Sequence, residues 1–333
     1  MRAVLLLLLF ALDPAFVKTT VESIGAMISK EYFDPTVGAA VDTALKRSLA
    51  EGRYADAADD QALATLLNRD LFAATHDKHL NLEARRDVPA ERERSVEQAD
   101  EARAVVVRRS NAGVRRVEIL AGNVGYFELT NFFRPEEARD AITTAMQLLS
   151  HTDALIFDMR ANGGGSPGTV ALLLGSLLGP DVPLYDILHR APEPADHYAT
   201  ETAPRAGRDV RRPVYVLTSA RTFSGGEGFA FLLQERHRAE IVGEVTAGAA
   251  NAGRPYRVNA RFSVTIPNGQ VKSAVSGGNW EGAGVTPDVK TPAADALNVA
   301  HARALRQLVD RELPGPWRDT LERALRNVEG RER

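Results

Sequence analysis

A chain of 333 residues with a 44% hydrophobic fraction can bury a sizeable core and is expected to form about two domains. Its 41 Lys and Arg nearly balance its 44 Asp and Glu, for a formal charge of −3; without a basic excess, no nucleic-acid partner is expected. The absence of cysteine excludes disulfides, thiolate nucleophiles, Cys-ligated zinc and iron–sulfur clusters together, and leaves the redox compartment open.

The chain begins Met1-Arg2-Ala3-Val4, followed by the apolar run Leu5 to Leu12 and a break at Asp13-Pro14. The run is too short to span a bilayer, which needs roughly 20 residues, so no stable membrane span is expected. A single charge, a short apolar stretch and a break make residues 1–14 a signal or targeting segment in the expected reading, with export to the periplasm or cell exterior. The alternative is the first core element of a cytoplasmic protein.

Residues 15–82 form a small helical domain in this reading. Phe16, Val17, Val21, Ile24, Met27 and Ile28 recur at helical spacing, as do Val41, Leu45 and Leu49, then Leu63, Leu66, Leu67, Leu71 and Phe72. Breaks at Asp34-Pro35 and Glu51-Gly52-Arg53 separate three helices. Residues 83–103 are densely charged and read as a solvated linker. Residues 104–313 form the second domain, with short strands at Ala104–Arg108, Val114–Leu120 and Val124–Leu129. Alternation follows: helix Pro135–Ser150, strand Asp153–Met159, helix Gly168–Leu178, strand Pro213–Ser219, helix Gly225–Arg236, strand Glu240–Gly243. This order implies βαβ crossovers and a largely parallel α/β sheet. Asp295–Leu313 is a closing helix, and residues 314–333 a helical tail.

Ligands in such sheets bind beyond the carboxyl ends of strands, which directs attention to two loops. Ser224 lies between strand Pro213–Ser219 and a helix that opens Gly225-Gly226-Glu227. The unpaired N–H groups of a helix start would stabilise an oxyanion beside a nucleophilic serine. Equally, Ser224 could be only an N-cap, with Glu227 completing a capping box. The other loop, Arg160-Ala-Asn-Gly-Gly-Gly-Ser-Pro-Gly168, holds four glycines in six residues. It could offer a second oxyanion donor, cradle a phosphate through its G-x-G-x-x-G spacing, or be a bare turn.

His76 and His79 are spaced i, i+3, as two zinc ligands on one helix face would be. Neither H-E-x-x-H nor a clear third ligand accompanies them, so no metal is expected. A general base is the stronger use of histidine near neutral pH. Glu281, in Gly277-Gly-Asn-Trp-Glu-Gly-Ala-Gly284, could orient such an imidazole or be a charged loop residue. Asp158 and Arg160 read as a structural ion pair.

Four ordered motifs, Asp153-Ala-Leu-Ile-Phe-Asp-Met-Arg-Ala-Asn-Gly-Gly-Gly165, Thr218-Ser-Ala-Arg-Thr-Phe-Ser-Gly-Gly-Glu227, Ile241-Val-Gly-Glu-Val-Thr-Ala-Gly248 and Trp280-Glu-Gly-Ala-Gly-Val-Thr-Pro-Asp288, carry a resemblance. Together they resemble the carboxyl-terminal-processing (tail-specific) serine peptidases. The branch most similar is that of bacterial proteins like interphotoreceptor retinoid-binding protein modules, whose helical domain resembles the segment ending Asp77-Lys78-His79-Leu80. The resemblance covers roughly residues 15–300. It implies a crotonase/Clp-protease-like β/α superhelical core preceded by a small N-terminal helical domain. The stretch between 83 and 120 is too short for a PDZ domain. The implied activity is hydrolysis of a peptide or protein substrate without metal or nucleotide cofactor. Ser224 matches the nucleophile, and Gly225 with Gly164 or Gly165 the oxyanion donors.

The tail-specific branch uses a Ser–Lys dyad, but the segment after Val-Gly-Glu continues Ala247-Gly248-Ala249-Ala250-Asn251, and only Lys272 and Lys290 follow Ser224. The tricorn-core branch instead uses serine, histidine and glutamate, which His79 and Glu281 match; Lys78 stands where that branch has a second serine. The implied mechanism is acyl transfer through Ser224 with His79 as base. The alternatives are a carrier of retinoid or other apolar ligands on the same scaffold, and a nucleotide-dependent enzyme using the glycine loop.

Overall fold

A computed structural model describes residues 11–85, 96–201 and 212–330. Most of the apolar N-terminal run (residues 1–10) and residues 86–95 of the expected linker lie outside the described residues. The chain divides into two compact units, each assembled from three segments.

The first unit comprises Met1–Arg94, Ile187–Asp196 and Asn251–Gln270. Its helices are α1 (Pro14–Glu31), α2 (Pro35–Ala50) and α3 (Asp60–Thr75). An aspartate starts each one: Asp13 accepts from the Ala15 N–H, Asp34 from Thr36 and Val37, and Asp59 from Ala62. Proline follows at the first helical position of α1 and α2, where the missing N–H removes nothing. The strand β1 (Asn81–Ala84) pairs antiparallel with β10 (Phe262–Ser273), Asn81 opposite Thr265, and β9 (Ala252–Arg257) pairs with β10 as well. Val21, Ile24 and Ile28 of α1, Leu63, Leu67 and Leu71 of α3, and Phe262, Val264 and Ile266 of β10 share one core. The helical domain read from residues 15–82 is thus completed by strands from far along the chain. Its helices present more apolar surface than they can cover alone, and the alternating Phe262, Val264 and Ile266 supply the other face.

The second unit comprises Ser95–Asp186, His197–Ala250 and Val271–Arg333. A six-stranded sheet runs in the order β11 (Val289–Lys290), β8 (Glu240–Gly243), β7 (Val214–Thr218), β4 (Ala154–Asp158), β3 (Val124–Leu129), β2 (Val114–Leu120). All neighbours are parallel except the β2–β3 pair. Every residue of β4 and β7 is buried, as expected of central strands covered on both faces. The helices are α4 (Val96–Arg109), α5 (Pro135–Leu148), α6 (Pro167–Leu178), α7 (Gly225–Glu235), α8 (Ala296–Arg311) and α9 (Pro316–Glu329). One sheet face packs on α8 and α9 through Ile156, Leu217, Val242, Leu305 and Leu321. Phe157 meets Phe229 of α7 edge-on on the opposite side, with Phe127 tilted against Phe157. The remaining strands are β5 (Pro183–His189) and β6 (Asp196–Ala199). No described helix is long and apolar enough to cross a membrane.

One element differs in kind from its sequence reading. Ala104–Arg108, expected as a strand, is the last part of helix α4. Of its three valines only Val107 is buried, Val105 being partly covered and Val106 56% exposed, so the run offers a single core contact to whichever element it adopts. The Arg103 guanidinium grips Glu137 of α5 at 2.6 and 2.8 Å, a tertiary contact that β-propensity cannot anticipate.

Candidate active site

Strands β4 and β7 are parallel neighbours, Asp158 opposite Leu217, so the loops leaving their carboxyl ends emerge side by side. Side chains stitch these loops together. Thr222 Oγ1 donates to the Met159 carbonyl at 2.9 Å and Ser219 Oγ to the Arg160 carbonyl at 2.7 Å. The fully buried Asn162 is the main strut. Its Nδ2 donates to the Leu129 carbonyl at 2.8 Å, its Oδ1 accepts the Gly164 N–H at 2.8 Å, and its carbonyl accepts the Phe223 N–H at 3.0 Å.

These bonds hold Ser224 with φ 51° and ψ −119°. That is the first central position of a type II′ turn, which glycine normally fills. The turn closes through the Gly226 N–H on the Phe223 carbonyl at 2.9 Å. A non-glycine residue held there stores about 1–3 kcal/mol of strain, and such outliers concentrate at functional sites. The sequence departs from G-x-S-x-G at Thr222, yet the backbone makes a comparable sharp strand-to-helix elbow.

The glycine loop lies directly against this elbow. A Cβ on Gly164 would sit 2.7 Å from Ser224 Cβ and 2.9 Å from the Gly225 nitrogen, and Gly164 adopts φ +90°. A Cβ on Gly225 would sit 3.3 Å from the Gly165 nitrogen. The amides of Gly165 and Gly225 are therefore neighbours, and among the described residues neither N–H has an acceptor. The other two loop amides are occupied: Gly163 donates to the Thr130 carbonyl at 3.0 Å and Gly164 to Asn162.

Glu281 belongs to the same unit. Its Oε2 accepts the Ala250 N–H at 2.6 Å, and its own N–H donates to Asn279 Oδ1 at 2.9 Å. Trp280, beside it, is buried on Gly228 of α7 and donates from Nε1 to the Ala249 carbonyl at 2.8 Å. Asp158 and Arg160 form the expected ion pair, with Arg160 also reaching the Ala293 carbonyl at 2.6 Å.

His79 belongs to the first unit. Helix α3 stops at Thr75 and His76 takes a left-handed conformation as its C-cap, so His76 and His79 do not share a helix face, and the premise of the zinc spacing fails. The turn that follows is built on Asp77, 2% exposed. Its Oδ1 accepts the His79 N–H at 2.9 Å, while Oδ2 accepts from the Tyr32 hydroxyl at 3.1 Å and Asn251 Nδ2 at 2.9 Å. Burial lowers the pKa of the half-buried His79 below the ordinary imidazole value, and the Asp77 charge opposes that shift without cancelling it. Lys78 is exposed.

Ser224, Gly164, Gly165 and Gly225 thus converge in one unit, which also carries Glu281, while His79 is set by Asp77 in the other. Sequence reasoning gave Asp77 and Asn162 no role and the buried Glu227 only that of a helix cap. Of these only Glu227 had a local signal, its capping-box spacing from Ser224.

Residues 123–291 match peptidase family S41, and residues 12–116 match the N-terminal domain of that family in eukaryotic interphotoreceptor retinoid-binding protein. Three solved structures share the fold at low identity. A lipoprotein from Streptococcus agalactiae aligns at TM-score 0.53 and 14% identity, covering 87% of this chain and 96% of that one. A photosystem II D1 C-terminal processing protease aligns at TM-score 0.54 and 15% identity, covering 83% and 93%. The tricorn protease aligns at TM-score 0.54 and 13% identity, covering 85% of this chain and 35% of that one. The two family matches lie end to end along the chain and the first takes in both the glycine loop and the Ser224 elbow, so the protein belongs to peptidase family S41 and is a serine-type peptidase acting on peptide or protein substrates.

Proposed function

We propose that the protein hydrolyses peptide bonds through an acyl-enzyme on Ser224, with His79 as general base. The observation that carries this reading is the strained Ser224 elbow beside the adjacent amides of Gly165 and Gly225. Ser224 Oγ attacks the peptide carbonyl while His79 accepts its proton. The oxyanion takes hydrogen bonds from the Gly225 and Gly165 N–H groups, and Gly164, whose N–H is bound to Asn162, shapes the wall between them. His79 then gives its proton to the departing amine, and water releases the acid by the reverse path. Glu281 supports the imidazole as an orienting carboxylate. An active-site fluorophosphonate tests the reading: the wild-type protein labels on Ser224, and absence of that adduct overturns it.

The pH profile carries a second expectation. The base works only when neutral, so kcat/KM rises with pH through the His79 pKa, and burial places that midpoint below about 6.5. Asp77→Asn removes the charge that favours imidazolium, so the acid limb moves to still lower pH. A midpoint that stays fixed or moves up in Asp77→Asn contradicts the assignment of His79.

The match of residues 12–116 to a retinoid-binding protein's domain favours a second reading, a carrier of retinoid or other apolar ligands. Incubation with casein and with a fluorescent retinoid separates the two: casein cleavage without a fluorescence change supports the peptidase. Export is part of the first reading, supported by the shared fold with a streptococcal lipoprotein; cell fractionation checks it.

A further inference from the structure

Beneath the Ser224 elbow lies a carboxylate with no role in the chemistry just described. Glu227 occupies the third position of α7 and is 0% exposed. Its Oε2 accepts the Ser224 N–H at 2.8 Å and the Ala249 N–H at 2.9 Å. Its Oε1 accepts the Thr246 hydroxyl at 2.6 Å and the Gly248 N–H at 2.6 Å. Four donors saturate both oxygens, and no cation is among them. Burial raises its pKa above the ordinary carboxylic value, against the pull of those four donors. Burying an acid this completely is expensive, and a helix N-cap alone does not call for it, since a capping glutamate normally stays solvated.

The partners indicate what it does. One bond fixes the amide of the residue held at positive φ. The other three fix the 246–249 segment, which leads directly to Ala250, the donor to Glu281. Thr246 closes the far side, since its Oγ1 also accepts the Val285 N–H at 2.7 Å, four residues beyond Glu281. A single carboxylate therefore joins the nucleophile turn to both segments that flank Glu281.

We propose that Glu227 is the positioning residue of this site, holding Ser224 in its strained turn and Glu281 in register with it. The proposal rests on the peptidase reading for its effect on turnover, but not for its effect on the backbone of Ser224. Without the carboxylate, the Ser224 amide has no partner at that angle, and the turn relaxes toward an ordinary N-cap with negative φ.

Glu227→Gln is the test, because it keeps length and volume while turning one oxygen into a donor. With its NH2 toward Ser224 and Ala249 the amide loses both bonds there; turned the other way it loses the Gly248 bond, while the Thr246 hydroxyl can rotate to accept. Fluorophosphonate labelling and kcat are expected to fall about 10²-fold with KM within about threefold of wild type, the signature of misplaced reacting atoms. Val242→Ala, a core truncation in β8 on the α8 face, lowers Tm without changing the labelling rate and separates lost stability from lost position. A crystal structure of Glu227→Gln is expected to show Ser224 out of the positive-φ region. Labelling no slower than in Val242→Ala, with Ser224 still near φ +51°, overturns the proposal. Should Glu227→Gln not fold, Thr246→Val removes one of the four donors: a severalfold slower labelling supports the proposal, and an unchanged rate overturns it. Should the wild-type protein not label at all, the peptidase reading falls, and the φ of Ser224 in either variant alone decides the role of Glu227.

Discussion

Ser224→Ala is expected to abolish fluorophosphonate labelling and to lower peptide hydrolysis by about 10⁴–10⁶-fold, and His79→Ala to do nearly the same. The sharper result is that of the double variant. Residues that act as one unit are grossly non-additive, because once the nucleophile is gone there is no proton for the base to take. Ser224→Ala/His79→Ala should therefore be no slower than the worse single variant. Hydrolysis assays on the three proteins, with circular dichroism to confirm folding, decide it. If the two losses multiply, Ser224 and His79 act independently and the general-base assignment fails. The residual activity of all three should reflect the Gly165 and Gly225 amides, which remain in place.

Gly164→Ala should push directly on the nucleophile turn. Its Cβ would lie 2.7 Å from Ser224 Cβ and 2.9 Å from both the Gly225 nitrogen and the Phe223 carbonyl oxygen, at a backbone φ of +90°. Two of those three atoms are backbone, so the clash is relieved only by moving the elbow away from the loop. A displacement of this kind costs about 10²-fold or more in labelling rate, and the left-handed backbone adds about 1–3 kcal/mol of destabilisation. Gly163→Ala is the stability control: a Cβ there meets nothing within 4 Å, so Tm should shift by less than the equivalent of about 0.5 kcal/mol. Thermal melts of the two variants and the labelling rate of Gly164→Ala check the contrast. Equal Tm values, with Gly164→Ala labelling like wild type, would show that the loop does not abut the nucleophile.

The successes and failures of sequence reading follow a physical line. Helices α1 to α3 were legible because each buries one stripe at period 3.6 and starts at an Asp or Asp-Pro signal. Strands β4 and β7 were legible because they are short, largely apolar runs, each followed within a few residues by a glycine-containing loop. Strand β10 was not assigned, since Pro267-Asn268-Gly269 in its middle reads as a turn. In the fold those residues form an irregularity in the β9–β10 register, and the Pro267 carbonyl accepts the Phe33 N–H at 3.0 Å. A proline needs no ladder partner at a bulge. Helix α4 was missed for the opposite reason, a valine run whose setting is decided by contacts outside it.

At the site, Ser224 and the glycine loop could be named from local pattern: a strand, a glycine run and a helix start imply exposed amides wherever they occur. Asp77, Asn162 and the full role of Glu227 could not. The donors to Glu227 include Thr246, Gly248 and Ala249, some twenty residues on, and Asn251 reaches Asp77 across most of the chain.

What the order of residues determined unaided was the set of elements with their own periodicity and caps, and the chemistry those elements can present: a hydroxyl at a helix start, glycines that allow close approach, an imidazole near neutrality. Tertiary structure alone decided which amides stay unoccupied, that Ser224 takes a conformation serine avoids, and which buried carboxylate holds it there. Local patterns are written in neighbouring side chains, whereas hydrogen-bond saturation and strain depend on groups that only folding brings together.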